Sequence, residues 1–139
     1  ATPAFRPHGT AQVELSGAIL TVHMRGDWNA EMRSQTAQQM RKYAPALNAA
    51  GLGHLHVLHD TLVYSEALYT SARQDYASRP AASRLQAVAF VIGPHVEGAS
   101  LLGPRYQTLL EGVIDARVFP DQQSAHLWLQ EQLDRARQS

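Results

Sequence analysis

Apolar and polar positions change rhythm several times along this chain, and each change marks an element. Val13 and Leu15 alternate with polar neighbours, as in a half-buried strand. Ser16-Gly17 is a turn signal, and Ile19, Leu20, Val22 and Met24 form a second strand ending at Gly26. A hairpin joining the two is the simplest reading. The period then lengthens. Asp27-Trp28-Asn29 starts a helix, with a side-chain oxygen able to cap an orphan backbone N–H. Met32, Thr36, Met40, Tyr43 and Leu47 follow at helical spacing; Pro45 bends or ends the run, and Gly51 and Gly53 stop it.

The stretch from His54 to Asp60 returns to a strand pattern. Ser65 can cap a second helix with Leu68, Ala72 and Tyr76 as its apolar stripe and Pro80 as its end. Leu85 to Ile92 is the most continuous apolar run and predicts a central strand buried on both faces. A third helical region spans about Val96 to Glu111, interrupted at Gly103-Pro104. A fifth strand covers about Ile114–Phe119. The last helix runs from Asp121 to about Arg137, with Ala125, Leu129, Leu133 and Ala136 in register and Trp128 beside them. The order β-β-α-β-α-β-α-β-α predicts an α/β domain with a largely parallel sheet and right-handed crossovers.

Composition narrows the function classes. At 139 residues the chain has the size of one domain, and a 45% hydrophobic, 17% charged composition is that of a globular protein. Residues 1–10, with Pro3, Pro7 and Gly9, read as a flexible arm before a single domain over 11–139. Twelve basic and twelve acidic residues balance without a Lys/Arg cluster, so no nucleic-acid partner is expected. The absence of cysteine excludes disulfides, thiolate metal sites and cysteine nucleophiles. No apolar run approaches the ~20 residues of a membrane span. A cytoplasmic location is the expectation.

Candidate chemistry is sparse. His54, His56 and His59 precede Asp60, and imidazoles are common zinc ligands. Strand pleating, however, puts His54 and His56 on one face and His59 on the other. No metal site and no cofactor are therefore expected. Gly93-Pro94-His95-Val96-Glu97-Gly98-Ala99-Ser100 has the spacing of a phosphate-binding loop, but Ala99 stands where the lysine belongs, so it reads as a strand-to-helix turn. Asp27, Glu31, Asp60 and Glu66 are placed to gather at the carboxyl ends of the second and third strands, the edge where open α/β sheets bind ligands. Acidic residues also favour helix starts for the dipole alone. Trp28, Tyr64 and Tyr69 lie near the same edge and can line an apolar groove. No catalytic constellation stands out.

Three stretches carry a family resemblance: Gly17 to Asn29, Val57 to Asp60, and Arg117 to Leu129. Together they resemble the SpoIIAA-like, or STAS/CRAL-TRIO, superfamily, in particular its small bacterial members, over about residues 11–135. The resemblance implies a five-stranded mixed, mostly parallel sheet with about four helices packed on it, built as a β/α superhelix. It also implies a non-enzymatic regulatory or protein-interaction module of the anti-sigma-factor antagonist type, with a protein partner or a homodimer. In that family a serine or threonine at the start of the helix after the third strand is phosphorylated. The Asp-Ser signature is absent here; the nearest residue is Ser65, beside Glu66. The expected binding surface is Asp27, Trp28, Asn29, Asp60, Tyr64 and Ser65. The alternatives are a small apolar ligand held at the same edge, and a hydrolase or isomerase using Asp60 with a histidine.

Overall fold

The computed structural model describes residues 9–26, 38–39, 52–59, 66–79 and 83–138. Five strands, β1 (Gly9–Ser16), β2 (Ile19–Gly26), β3 (Leu52–Leu58), β4 (Leu85–Ile92) and β5 (Asp115–Phe119), form one sheet in the order β1-β2-β3-β4-β5. β1 is antiparallel to β2, and every later pair is parallel. The mixed, mostly parallel sheet and α/β class expected from the pattern are what the chain forms. Among the described residues there are three helices, α1 (Glu66–Ala77), α2 (Ala99–Thr108) and α3 (Gln122–Gln138). Of the helix expected after Asp27 only Gln38 and Gln39 are described, and both are helical.

β1 and β2 are joined by the two-residue turn Gly17-Ala18, with Ser16 opposite Ile19. Gly17 has φ +58°, which a residue without Cβ adopts without strain. β1 begins at Gly9, so the last two residues of the expected arm are strand; residues 1–8 lie outside the described residues.

Pleating divides the core in two. On one face Leu20, Leu58, Val88, Phe90 and Ile92 pack with Val96 and Leu110, and with Tyr76 of α1 and Ala99 and Tyr106 of α2. On the other, Ile19, Leu55, Val57, Ala87, Ala89 and Val91 lie under Ala125, Leu129 and Leu133 of α3. The crossover helices thus cover one face and the last helix covers the other. β4 is buried over nearly its whole length, as its apolar run predicts.

Two expectations shift. β3 runs from Leu52 to Leu58 rather than from His54 to Asp60, and takes in Gly53. A Cβ on Gly53 would come within 3.1 Å of Leu129 Cδ2, so glycine here admits α3 close to the sheet rather than stopping a helix. α2 runs unbroken through Gly103-Pro104. Pro104 lies one turn inside the helix and removes only the N–H that would reach the exposed Ser100. Gly103 lacks the Cβ that would otherwise clash with the proline ring. β1 pairs with β2 at one edge of the sheet, as the expected hairpin requires.

The helix-start signal at the other end of the chain is confirmed. Asp121 caps α3, its carboxylate accepting from the Ser124 N–H at 2.7 Å and from the Ser124 hydroxyl at 3.1 Å. These bonds hold the Asp121 carboxyl below its usual range. Trp128 is half-buried, its ring 5.6 Å from that of Phe119. At the β5 edge the Val118 N–H, free of the ladder, donates to Gln107 Oε1 at 2.9 Å. An edge amide satisfied by a side chain is one fewer invitation to another strand.

Candidate functional site

Histidines gather on both faces of β3, and the two groups differ in kind. His54 and His56, two residues apart, point to the face under α1. The helical period brings Tyr76 onto the same spot. Its hydroxyl lies 3.1 Å from His54 Nδ1 and 2.8 Å from His56 Nε2. One phenol has one proton to give, so one imidazole accepts it and the other donates its own N–H to the phenol oxygen. His56 stacks on Phe90 at 5.3 Å. The cluster is a polar island in an apolar layer.

Burial sets its electrostatics. Desolvation lowers the His54 pKa to about 3, helped by the neighbouring His56. His56 keeps more of its edge exposed and falls to about 4, again through desolvation. Both rings are neutral near pH 7.

From Phe90 an aromatic series continues outward. Tyr106 meets Phe90 edge-on at 5.4 Å, and Tyr69 meets Tyr106 at the same separation. Burial raises the pKa of both phenols. Arg105 lies over the Tyr69 ring at 5.5 Å and donates to Glu66 at 2.9 Å. Glu66, one of the four carboxylates singled out in the sequence, therefore ties the start of α1 to α2 on the surface.

The opposite face carries a more open group. His23 on β2 lies opposite Val57 in the parallel register. The His59 N–H bonds the Met24 carbonyl at 3.0 Å, carrying the pairing one residue past β3. Pleating then sets both imidazoles on the face away from α1. His23 Nδ1 and His59 Nε2 are 2.9 Å apart with ring centroids at 5.2 Å, so the rings meet end to end in an N–H···N hydrogen bond. His23 Nε2 lies 3.4 Å from Glu14 Oε1 on β1. With Glu14 accepting from Nε2–H, neutral His23 presents a bare Nδ1, and His59 Nε2–H donates to it. The sequence separates His59 from His54 and His56 correctly. It does not reveal His23, whose role depends on cross-strand register.

Asp27, Trp28, Asn29, Asp60, Tyr64 and Ser65 all lie outside the described residues, as does Glu31. The stretch from Gly93 to Ser100 forms successive tight turns, with Val96 N–H to Gly93 O at 3.0 Å and Ala99 N–H to Val96 O at 3.1 Å. Gly98 at φ 85° then leads into α2. That is the strand-to-helix turn expected. Among the described residues no group of three His, Asp or Glu side chains is placed to hold a metal ion, and no helix is long and apolar enough to cross a membrane. An open groove of about 400 Å³ lies between the end of α2 and the start of β5, lined in part by Gln107, Thr108, Glu111 and Asp115. It sits at the far end of the strands from His23 and His59, and neither histidine group lines it. Compared with known proteins, the chain matches no family model, no curated protein and no solved structure.

Proposed function

We propose that this chain is a non-enzymatic regulatory or protein-interaction module of the STAS type, recognising a protein partner or a second copy of itself in the cytoplasm. The observation that supports the reading is the one-directional order of the strands. β2 and β3 are neighbours and parallel, with Met24 opposite Leu58, so their carboxyl ends emerge side by side. The chain continues from Gly26 into Asp27-Trp28-Asn29 and from His59 into Asp60. The two stretches proposed for recognition thus leave the sheet from adjacent strand ends, the usual binding edge of such sheets.

The test is affinity capture with the tagged wild-type chain and with Trp28→Ala and Tyr64→Ala chains, circular dichroism confirming folding in each. A stoichiometric protein retained by the wild type and reduced about tenfold or more in both variants is the expected result, an aromatic anchor at an interface being worth about 2 kcal/mol or more. Equal capture by all three chains removes this surface. A retained small molecule with no protein moves the function to ligand carriage.

A further inference from the structure

We propose that His23 and His59 form a binding site for a borderline divalent transition-metal ion, with Glu14 as the outer carboxylate that orients His23. The two facing nitrogens, His23 Nδ1 and His59 Nε2, are 2.9 Å apart. Two imidazole nitrogens bound at about 2.0–2.1 Å to one ion have about this separation when they occupy adjacent positions at about 90°. Opening toward tetrahedral geometry needs only a few tenths of an ångström more. The two rings meet end to end, so each must swing out of the shared N···N line and give up their N–H···N hydrogen bond to bring both lone pairs onto a common point.

The surroundings supply what a metal-bound histidine needs. A ligating imidazole donates its other N–H to a carboxylate or carbonyl, which fixes the tautomer and strengthens the ligand. Glu14 Oε1 stands 3.4 Å from His23 Nε2, on the ring edge away from His59. It therefore holds Nδ1 as the lone-pair nitrogen, the one that faces His59. Binding an ion requires His59 to carry its proton on Nδ1, a tautomer change that needs no net loss of charge. The site is reachable, since the Glu14 side chain is 57 % exposed and His23 17 %. Water can fill the remaining coordination positions.

Donor chemistry selects the ion class. Two neutral imidazoles favour Cu²⁺, Ni²⁺ and Zn²⁺ over Mg²⁺ and Ca²⁺, which prefer oxygen cages. His54 and His56, by contrast, are on the other face of β3 and are engaged by Tyr76. They cannot share an ion with His59.

The experiment is calorimetric titration of the full chain with CuCl₂, NiCl₂, ZnCl₂ and MgCl₂. Wild-type protein is expected to take up one ion of each transition metal, Cu²⁺ most tightly, and no Mg²⁺. His23→Ala and His59→Ala should each weaken binding by about tenfold or more. Glu14→Gln, a conservative change at an exposed strand position, should weaken it by about tenfold, the usual cost of losing an outer-shell carboxylate. His95→Ala and His126→Ala, at exposed histidines elsewhere, should bind as wild type. Nitrogen-15 spectra with Zn²⁺ should shift His23 Nδ1 and His59 Nε2 together. No saturable uptake at millimolar ion, or unchanged binding in the His23 and His59 variants, overturns the site.

Discussion

Tyr76 does more than fill a helical stripe. Its hydroxyl is the shared partner of two imidazoles in an otherwise apolar layer, and that arrangement is only partly readable from residue order. Strand period puts His54 and His56 together, and helix period puts Tyr76 toward the core. That the three meet depends on how α1 crosses β3, which no local pattern encodes. Tyr76→Phe keeps the ring and deletes the hydroxyl. It leaves His54 Nδ1 and His56 Nε2 facing carbon. A buried polar atom without its partner costs about 1–3 kcal/mol. Urea unfolding should show stability lower by that amount, read as a lower midpoint at an unchanged slope. A midpoint equal to wild type would mean that the hydroxyl contributes nothing to stability. His23 makes the same point about legibility. Its neighbour His59 is 36 residues away, and only the parallel register of β2 and β3 brings them together.

At the level of elements, strong periodicity was a reliable guide, and glycine was one at the Gly17 turn but not inside elements. The apolar run of β4 and the Asp121 cap with the Ala125, Leu129 and Leu133 stripe of α3 were legible because each is written in consecutive residues. Gly53 misled because its reason lies in another element: Leu129 approaches the backbone of β3 where a side chain would stand. Gly103-Pro104 misled because the pair compensates itself inside α2. Gly53→Ala tests the first explanation. Leu129 is fully buried and has little room to yield. The added methyl should cost about 1–3 kcal/mol, the usual range for overpacking, and lower the thermal midpoint. If stability instead rises, as glycine replacement in a strand otherwise permits, α3 does not press on β3 at that point. The proposed recognition residues, Asp27, Trp28, Asn29, Asp60, Tyr64 and Ser65, lie in the sequence at the margins of the periodic runs that made the strands and helices legible.

For the whole molecule, the buried histidines link stability to acidity. In the unfolded chain each imidazole takes up a proton near the ordinary value of about 6.5. In the folded chain His54 resists until about 3 and His56 until about 4. Above the unfolded value neither state binds these protons, and stability is full. As pH falls below it the unfolded state binds more, so stability declines, and the decline continues down to the folded values. Each imidazole contributes a loss of about 1.4 kcal/mol per pH unit inside that window. Urea midpoints measured from pH 7.5 to 4.5 should therefore fall steeply below about 6.5. The fall should be shallower in a His54→Gln, His56→Gln chain. Parallel profiles would assign the acid sensitivity to other groups.

The division of labour between the helices has a consequence for synthesis. α1 and α2 are interleaved with the strands, so each is available when the strand it accompanies pairs. α3 follows β5 and alone supplies the described helical cover for Leu55, Ala87, Ala89 and Val91. While the chain is being made, that half of the core lacks its α3 cover after the sheet is complete and until the stretch from Gln122 to Gln138 emerges. A nascent chain halted near Pro120 would present an apolar sheet face to any holdase or neighbouring chain. Loss of α3 from the sheet is, for the same reason, a direct route to aggregation.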